Sequence, residues 1–241
     1  MKYIFYQFLT GALDLFLWSG ELIGEENLPK EGPAVFIANH LGPTGPIAVV
    51  CSIPLQLHPW AAGDMMDKEL APEYVRIDFV EPRLKFKLPF SRVFSKALSK
   101  ITVPMLKSLG CIPAYLGGQE RLYDTLKASL SLLLEGKCLL VFPEYSLVGL
   151  DTFVKMYPFQ KTVFRLGEMY HESIGQRLLF YPVAVHESNK VMVGKPIAYN
   201  PLNAHGVERQ RLKNLLEETI KGMYAQMGGE EYVGELTPQR K

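Results

Sequence analysis

Apolar residues in this chain fall into short unbroken runs and into helical stripes, and the two patterns alternate along its length. Ala34-Val-Phe-Ile-Ala-Asn39 is a run closed by a polar residue, the pattern of a strand buried on both faces. Similar runs predict strands at 57–62, 112–115, 138–142, 178–185 and 190–197. Between them the period lengthens to that of a helix. Leu122, Leu126, Leu130, Leu133 and Leu134 share a face of a helix predicted over 119–135, with Gly136 suited to its C-terminal cap. Leu212, Leu215, Leu216, Ile220, Met223 and Tyr224 form the stripe of a helix over 207–227. Further helices are predicted at 46–52, ended or bent by Pro54, at 91–109, kinked by Pro104, and from Pro158 to about His171. Residues 64–89, with Pro72, Pro82 and Pro89, predict an irregular surface excursion. The alternation implies an α/β fold, a mainly parallel central sheet flanked by helices.

The first twenty residues differ. They are rich in Phe, Leu, Tyr and Trp, but Gln7, Thr10 and Asp14 recur at i, i+3 and i+7 along one helical face. A helix over 4–18 would be roughly 22 Å long, short of a hydrocarbon core of ~30 Å. No small-residue cleavage pattern follows. The segment is expected to lie as a helix in the membrane interface; the alternative is a helix packed on the domain. The predicted organisation is therefore a membrane-interface helix over 1–20 and one α/β domain over 21–241.

Composition narrows the function classes. At 48% apolar and 21% charged residues the chain is too rich in core-forming side chains to be extensively disordered. A net charge of +1 argues against a nucleic-acid partner. The charge is unevenly spread, however. Between Pro82 and Gln119 stand Arg83, Lys85, Lys87, Arg92, Lys96, Lys100 and Lys107, with no acidic residue and with Leu84, Phe86, Leu88, Phe90 and Phe94 interleaved. Such a stretch suits either a solvated helix face or an anionic membrane surface. Cys51, Cys111 and Cys138 are odd in number, widely spaced and set in apolar stretches, as expected of packing residues in a reducing compartment. Metal-ligand spacings, phosphate-binding glycine motifs and G-x-S-x-G are missing, so no metal site is expected.

The candidate chemistry lies at two strand ends. Asn39-His40 closes the first predicted strand, and Pro143-Glu144 follows Cys138-Leu-Leu-Val-Phe142. In α/β proteins the carboxyl ends of the strands border the crevice where ligands bind. A histidine and a glutamate delivered there together form a candidate catalytic pair; singly, each is as readily a structural residue.

Four blocks in order resemble the glycerolipid, or lysophospholipid, acyltransferase family. Val35-Phe-Ile-Ala-Asn-His40 stands where that family has N-H-x4-D, and Leu109-Gly-Cys-Ile-Pro-Ala114 is like its second block. Val141-Phe-Pro-Glu144 matches the start of F-P-E-G-T-R. Tyr181-Pro-Val-Ala-Val185, with Val193-Gly-Lys-Pro-Ile197, is like the fourth block and its following strand. The resemblance implies transfer of a fatty acyl group from an acyl-CoA or acyl-carrier-protein thioester to a lysophospholipid hydroxyl, in phospholipid biosynthesis. It implies His40 as general base, and Asn39, Pro143, Glu144, Gly42 and Gly45 around the substrate, with backbone N–H groups near the two glycines as oxyanion donors. It further implies no bound cofactor, the membrane lipid surface as partner, and a place on the cytoplasmic face of the membrane.

Two departures bear on these expectations. Gly45 occupies the position of the family aspartate that orients the histidine, so another carboxylate must substitute, with Asp64, Asp78 and Glu144 the candidates. Otherwise His40 works alone and slowly, or the chain is a catalytically impaired lipid-binding or scaffolding descendant. Tyr145-Ser146-Leu147 replaces Gly-Thr-Arg, and the second-block arginine is missing too. Arg121, Lys155, Lys161 and Arg165 are then the alternative cations for an acceptor phosphate, against their plain reading as surface charges.

Overall fold

The computed structural model describes residues 6, 11, 18, 20–42, 44–115, 119–144, 150–151 and 155–229. Its strands are β1 (Glu21–Ile23), β2 (Ala34–Ala38), β3 (Leu57–Ala62), β4 (Ile112–Ala114), β5 (Cys138–Val141), β6 (Leu179–His186), β7 (Lys190–Val193) and β8 (Ile197–Ala198). They form one sheet in the order β1-β7-β6-β2-β5-β3-β4, with β8 on the edge of β6. The pairs β2–β5, β2–β6, β3–β5, β3–β4 and β1–β7 are parallel; β7 and β8 run antiparallel to β6.

The longer helices are α1 (Thr44–Ser52), α2 (Phe90–Ser108), α3 (Gln119–Leu134), α4 (Arg165–Ile174) and α5 (His205–Gly228). Alternation along β2 divides the core. Val35 and Ile37 join Leu126, Phe164, Leu166, Leu212, Leu216 and Ile220 on one face of the sheet. Ala34, Phe36 and Ala38 join Ala48 and Val49 of α1 on the other. Every residue of β2 is buried, which is why its sequence carries no polar alternation.

Three local expectations are corrected. Residues 64–89 contain successive short helices, Gly63–Met66, Ala71–Val75, Arg76–Val80 and Glu81–Leu84. Pro72 and Pro82 sit in the first turns of two of them, where a missing N–H costs nothing, so they open helices. The helix expected from Pro158 begins later, at Arg165 behind a 3-10 turn, because 156–160 is held extended. Gln160 N–H donates to Pro143 O at 2.7 Å and Phe159 N–H to Glu217 at 3.0 Å. The strand predicted over 190–197 is two strands, broken at Gly194-Lys195-Pro196, and β1 was not foreseen.

The expected interface helix over 1–20 lies almost wholly outside the described residues. Two of its aromatic side chains are placed. Tyr6 is buried, its hydroxyl accepting the Leu57 N–H at 3.2 Å, and buried Trp18 donates from its indole N–H to Ser52 Oγ at 2.9 Å. Among the described residues no helix is long and apolar enough to cross a membrane.

Candidate active site

The site begins with a clamp at the end of the central strand. Asn39 is buried, and its side-chain amide behaves as an extra peptide unit on the β2–β6 ladder. Nδ2 donates to Val185 O at 3.0 Å, while Oδ1 accepts the Val185 N–H at 2.7 Å. This fixes the backbone where β2 ends, and His40 follows. The resemblance implied a substrate contact for Asn39, but both ends of its amide are engaged inside the fold.

Register delivers the second residue. Ile37 of β2 pairs with Val141 of β5. Three positions further on each strand stand His40 and Glu144, so the two occupy equivalent places on neighbouring strands. Glu144 meets the His40 backbone and leaves the imidazole alone. One carboxylate oxygen accepts the His40 N–H, and the other accepts the Tyr157 N–H at 2.8 Å. Glu144 thus straps the His40 backbone to the 156–160 segment. Pro143 is buried, with its carbonyl taken by Gln160, and Phe142 sets its ring edge-on to the imidazole at 5.2 Å between centroids. Behind Phe142, Pro143 and Glu144 lies a cavity of about 30 Å³, room for a water molecule and far too small for an acyl chain.

The electrostatics follow from this packing. The His40 residue is exposed to solvent, yet protein atoms crowd the ring from behind. That partial burial disfavours imidazolium and lowers the pKa from 6.5, against a smaller opposite effect of a backbone hydrogen bond. The ring is therefore neutral at pH 7. Burial also pushes Glu144 up to about 7; the two N–H donors oppose this, and the negative charge of Glu217 adds to it. Two groups perturbed in opposite senses at the carboxyl ends of adjacent strands are what make this a candidate site.

No carboxylate among the described residues hydrogen-bonds the imidazole. Asp64 and Asp78 bear instead on Tyr74, whose pKa is pushed up to about 12, mainly by burial and then by their negative charges. Neither replaces the missing orienter. A β-carbon added at Gly45 would meet Asn39 O at 3.5 Å and His40 Cα at 3.7 Å, ordinary contacts, so the backbone there admits a side chain's first carbon. The N–H groups of Gly42 and Gly45 are turned back on His40 O at 2.9 Å and Leu41 O at 3.3 Å.

Sequence reasoning missed Arg83. Gly42 adopts φ +55, and a β-carbon there would lie 2.9 Å from the Arg83 guanidinium. Glycine therefore serves twice, permitting the left-handed backbone and admitting the cation against the His40 loop. Arg83 has no ion-pair partner among the described residues. Its only sequence signal was membership of the acid-free basic run. Two of the other cations are engaged elsewhere, Arg121 over the Tyr115 ring and Lys155 with Glu187. Cys111 and Cys138 are held as thiols by burial, with pKa values pushed up to about 12 and about 11.

No protein-family profile matches the chain, and neither does any curated protein. Among solved structures it is similar to the crystal structure of the 1-acyl-sn-glycerophosphate (LPA) acyltransferase PlsC from Thermotoga maritima. The two are 14% identical over 94% of this chain and 83% of that one, with a TM-score of 0.57. Identity that low speaks for architecture alone: the mainly parallel sheet flanked by helices is shared with that structure.

Proposed function

We propose that this chain is a lipid acyltransferase, moving a fatty acyl group from acyl-CoA or an acyl-carrier-protein thioester to the hydroxyl of a lysophospholipid or related acceptor, with His40 as general base. The observation that carries the reading is an imidazole at the carboxyl end of the central parallel strand, on a residue open to solvent but with its ring partly buried so that its pKa is lowered, its backbone pinned by Glu144 from the adjacent strand. The fold shared with an acyltransferase agrees with it.

The chemistry needs a base because a lipid hydroxyl holds its proton far above pH 7. An unprotonated His40 nitrogen takes that proton as the hydroxyl oxygen bonds to the thioester carbonyl carbon. The tetrahedral intermediate collapses, the C–S bond breaks, and imidazolium returns the proton to the departing thiolate. Base catalysis of this kind contributes about 10²–10⁴-fold. Glu144 holds the loop and touches neither proton. Arg83, beside Gly42, is the cation placed to meet an anionic group on the acceptor.

A second reading, a lipid-binding descendant without turnover, is favoured by one fact: no described carboxylate orients the ring. Labelled acyl-CoA and acyl-carrier protein, offered with lysolipids that bear or lack a phosphate, separate the two. Labelled diacyl product that disappears in His40→Ala supports transfer. Lipid binding with no product from any donor establishes the second reading.

A further inference from the structure

The N-terminal half of helix α2 is built inside out, with apolar Val103 and Leu106 buried only further along. Ser91, Ser95 and Ser99, at i, i+4 and i+8, form its buried face, packed on the helix Ala71–Val75. Their hydroxyls are satisfied locally: Ser91 donates to Glu81 at 2.9 Å, and Ser95 and Ser99 donate to the carbonyls of Arg92 and Lys96 at 3.1 Å each. Small side chains let the two helices approach closely, and no apolar residue of that face is left wanting cover.

The opposite face is apolar and open. Phe90, Val93, Ala97 and Ile101 fall on one stripe at 3.6 residues per turn, and Phe90, Val93 and Ile101 are 57, 67 and 68% exposed. The turn leading into the helix continues the surface with Leu88, also exposed, and with an aromatic cluster of Phe86, Phe90 and Phe94 at 4.9 and 5.2 Å between centroids. Arg92, Lys96 and Lys100 run along one border of the stripe at i, i+4 and i+8, and Arg83, Lys85 and Lys87 lie just before it. No acidic residue occurs from Pro82 to Gln119, and none of these cations is in an ion pair among the described residues.

We propose that α2 and the Arg83–Pro89 approach dock on an anionic lipid surface, with Phe90, Val93 and Ile101 entering the headgroup boundary and the basic border facing lipid phosphates. Charge selects this occupant. Six cations in no ion pair among the described residues, beside a water-exposed apolar stripe, match a negatively charged, apolar-cored surface. Choosing lipid over another occupant rests in part on the acyltransferase reading. Arg83 links the two, since the same segment that meets the bilayer lies against Gly42 in the His40 loop.

The test is co-sedimentation of the full-length protein with vesicles of phosphatidylcholine alone and of phosphatidylcholine with phosphatidylglycerol, with acyl transfer from soluble donors measured separately. Two variants are compared, Val93→Ser/Ile101→Ser and Arg92→Glu/Lys96→Glu/Lys100→Glu; all five side chains are exposed, and circular dichroism verifies the fold. Wild type is expected to bind anionic vesicles, less so in high salt, and each variant to lose at least about tenfold in vesicle affinity. Variants that bind like wild type, or a wild type that ignores charge, overturn the proposal. So does a dimer that dissociates on Val93→Ser/Ile101→Ser while vesicle binding persists. Loss of vesicle binding with acyl transfer intact leaves the activity standing, and the converse leaves the docking face standing.

Discussion

At the scale of single residues, His40 stands at the end of the central strand, yet no described carboxylate orients its ring. Gly45 is the place to test restoring the missing group, because a β-carbon there lies in ordinary contact with the His40 backbone. Gly45→Asp is expected to raise the imidazole pKa and to increase turnover by about tenfold or more; the roughly 10⁴-fold loss on mutating a protease's orienting aspartate sets the scale. NMR titration of His40 and initial rates check both, and an unchanged pKa with lower turnover would contradict it. Glu144 offers a test by stability. Its folded pKa of about 7 lies above the ordinary 4.5, so the folded chain holds a proton that the unfolded chain releases across that interval. Its contribution is fully present below pH 4.5 and is lost as pH rises through about 7. Wild-type Tm should therefore fall relative to Glu144→Gln between pH 5 and 8; parallel curves would show that Glu144 titrates normally.

At the scale of elements, the strand ends do the positioning. Asn39→Ala leaves the Val185 N–H and carbonyl unpaired in the interior, at an expected cost of about 2–4 kcal/mol in urea unfolding, with turnover falling as His40 loosens. A loss under about 0.5 kcal/mol would mean that the end of β2 is held by other contacts. The strands and long helices were legible because burial writes them directly: β2 and β5 are apolar on both faces and α3 repeats leucine at helical spacing. Residues 64–89 misled because proline forbids a helix interior yet favours a helix start, and spacing alone does not tell which. The 156–160 segment misled because its conformation is set by Glu144, Glu217 and Pro143, all distant in sequence.

At the scale of the molecule, the sheet brings together residues about a hundred positions apart, and their closeness was readable because parallel register carries equal offsets to equal heights. That the Glu144 carboxylate would strap the His40 backbone was not readable, since offset alone does not say which atom a side chain reaches. Nor was Arg83 on Gly42, a contact between a short helix and the His40 loop, or the serine-inward face of α2, which only the packing against Ala71–Val75 reveals. The most direct test of the whole is the rate of acyl transfer from pH 5 to 8 in wild type beside His40→Ala. With His40 as the proposed base, neutral imidazole would be the active form, so wild-type rate should hold at neutral pH and fall on acidification with a midpoint below 6.5, and His40→Ala should lose about 10²–10⁴-fold. A His40→Ala protein that transfers acyl groups at the wild-type rate would contradict the assignment of His40 as the base.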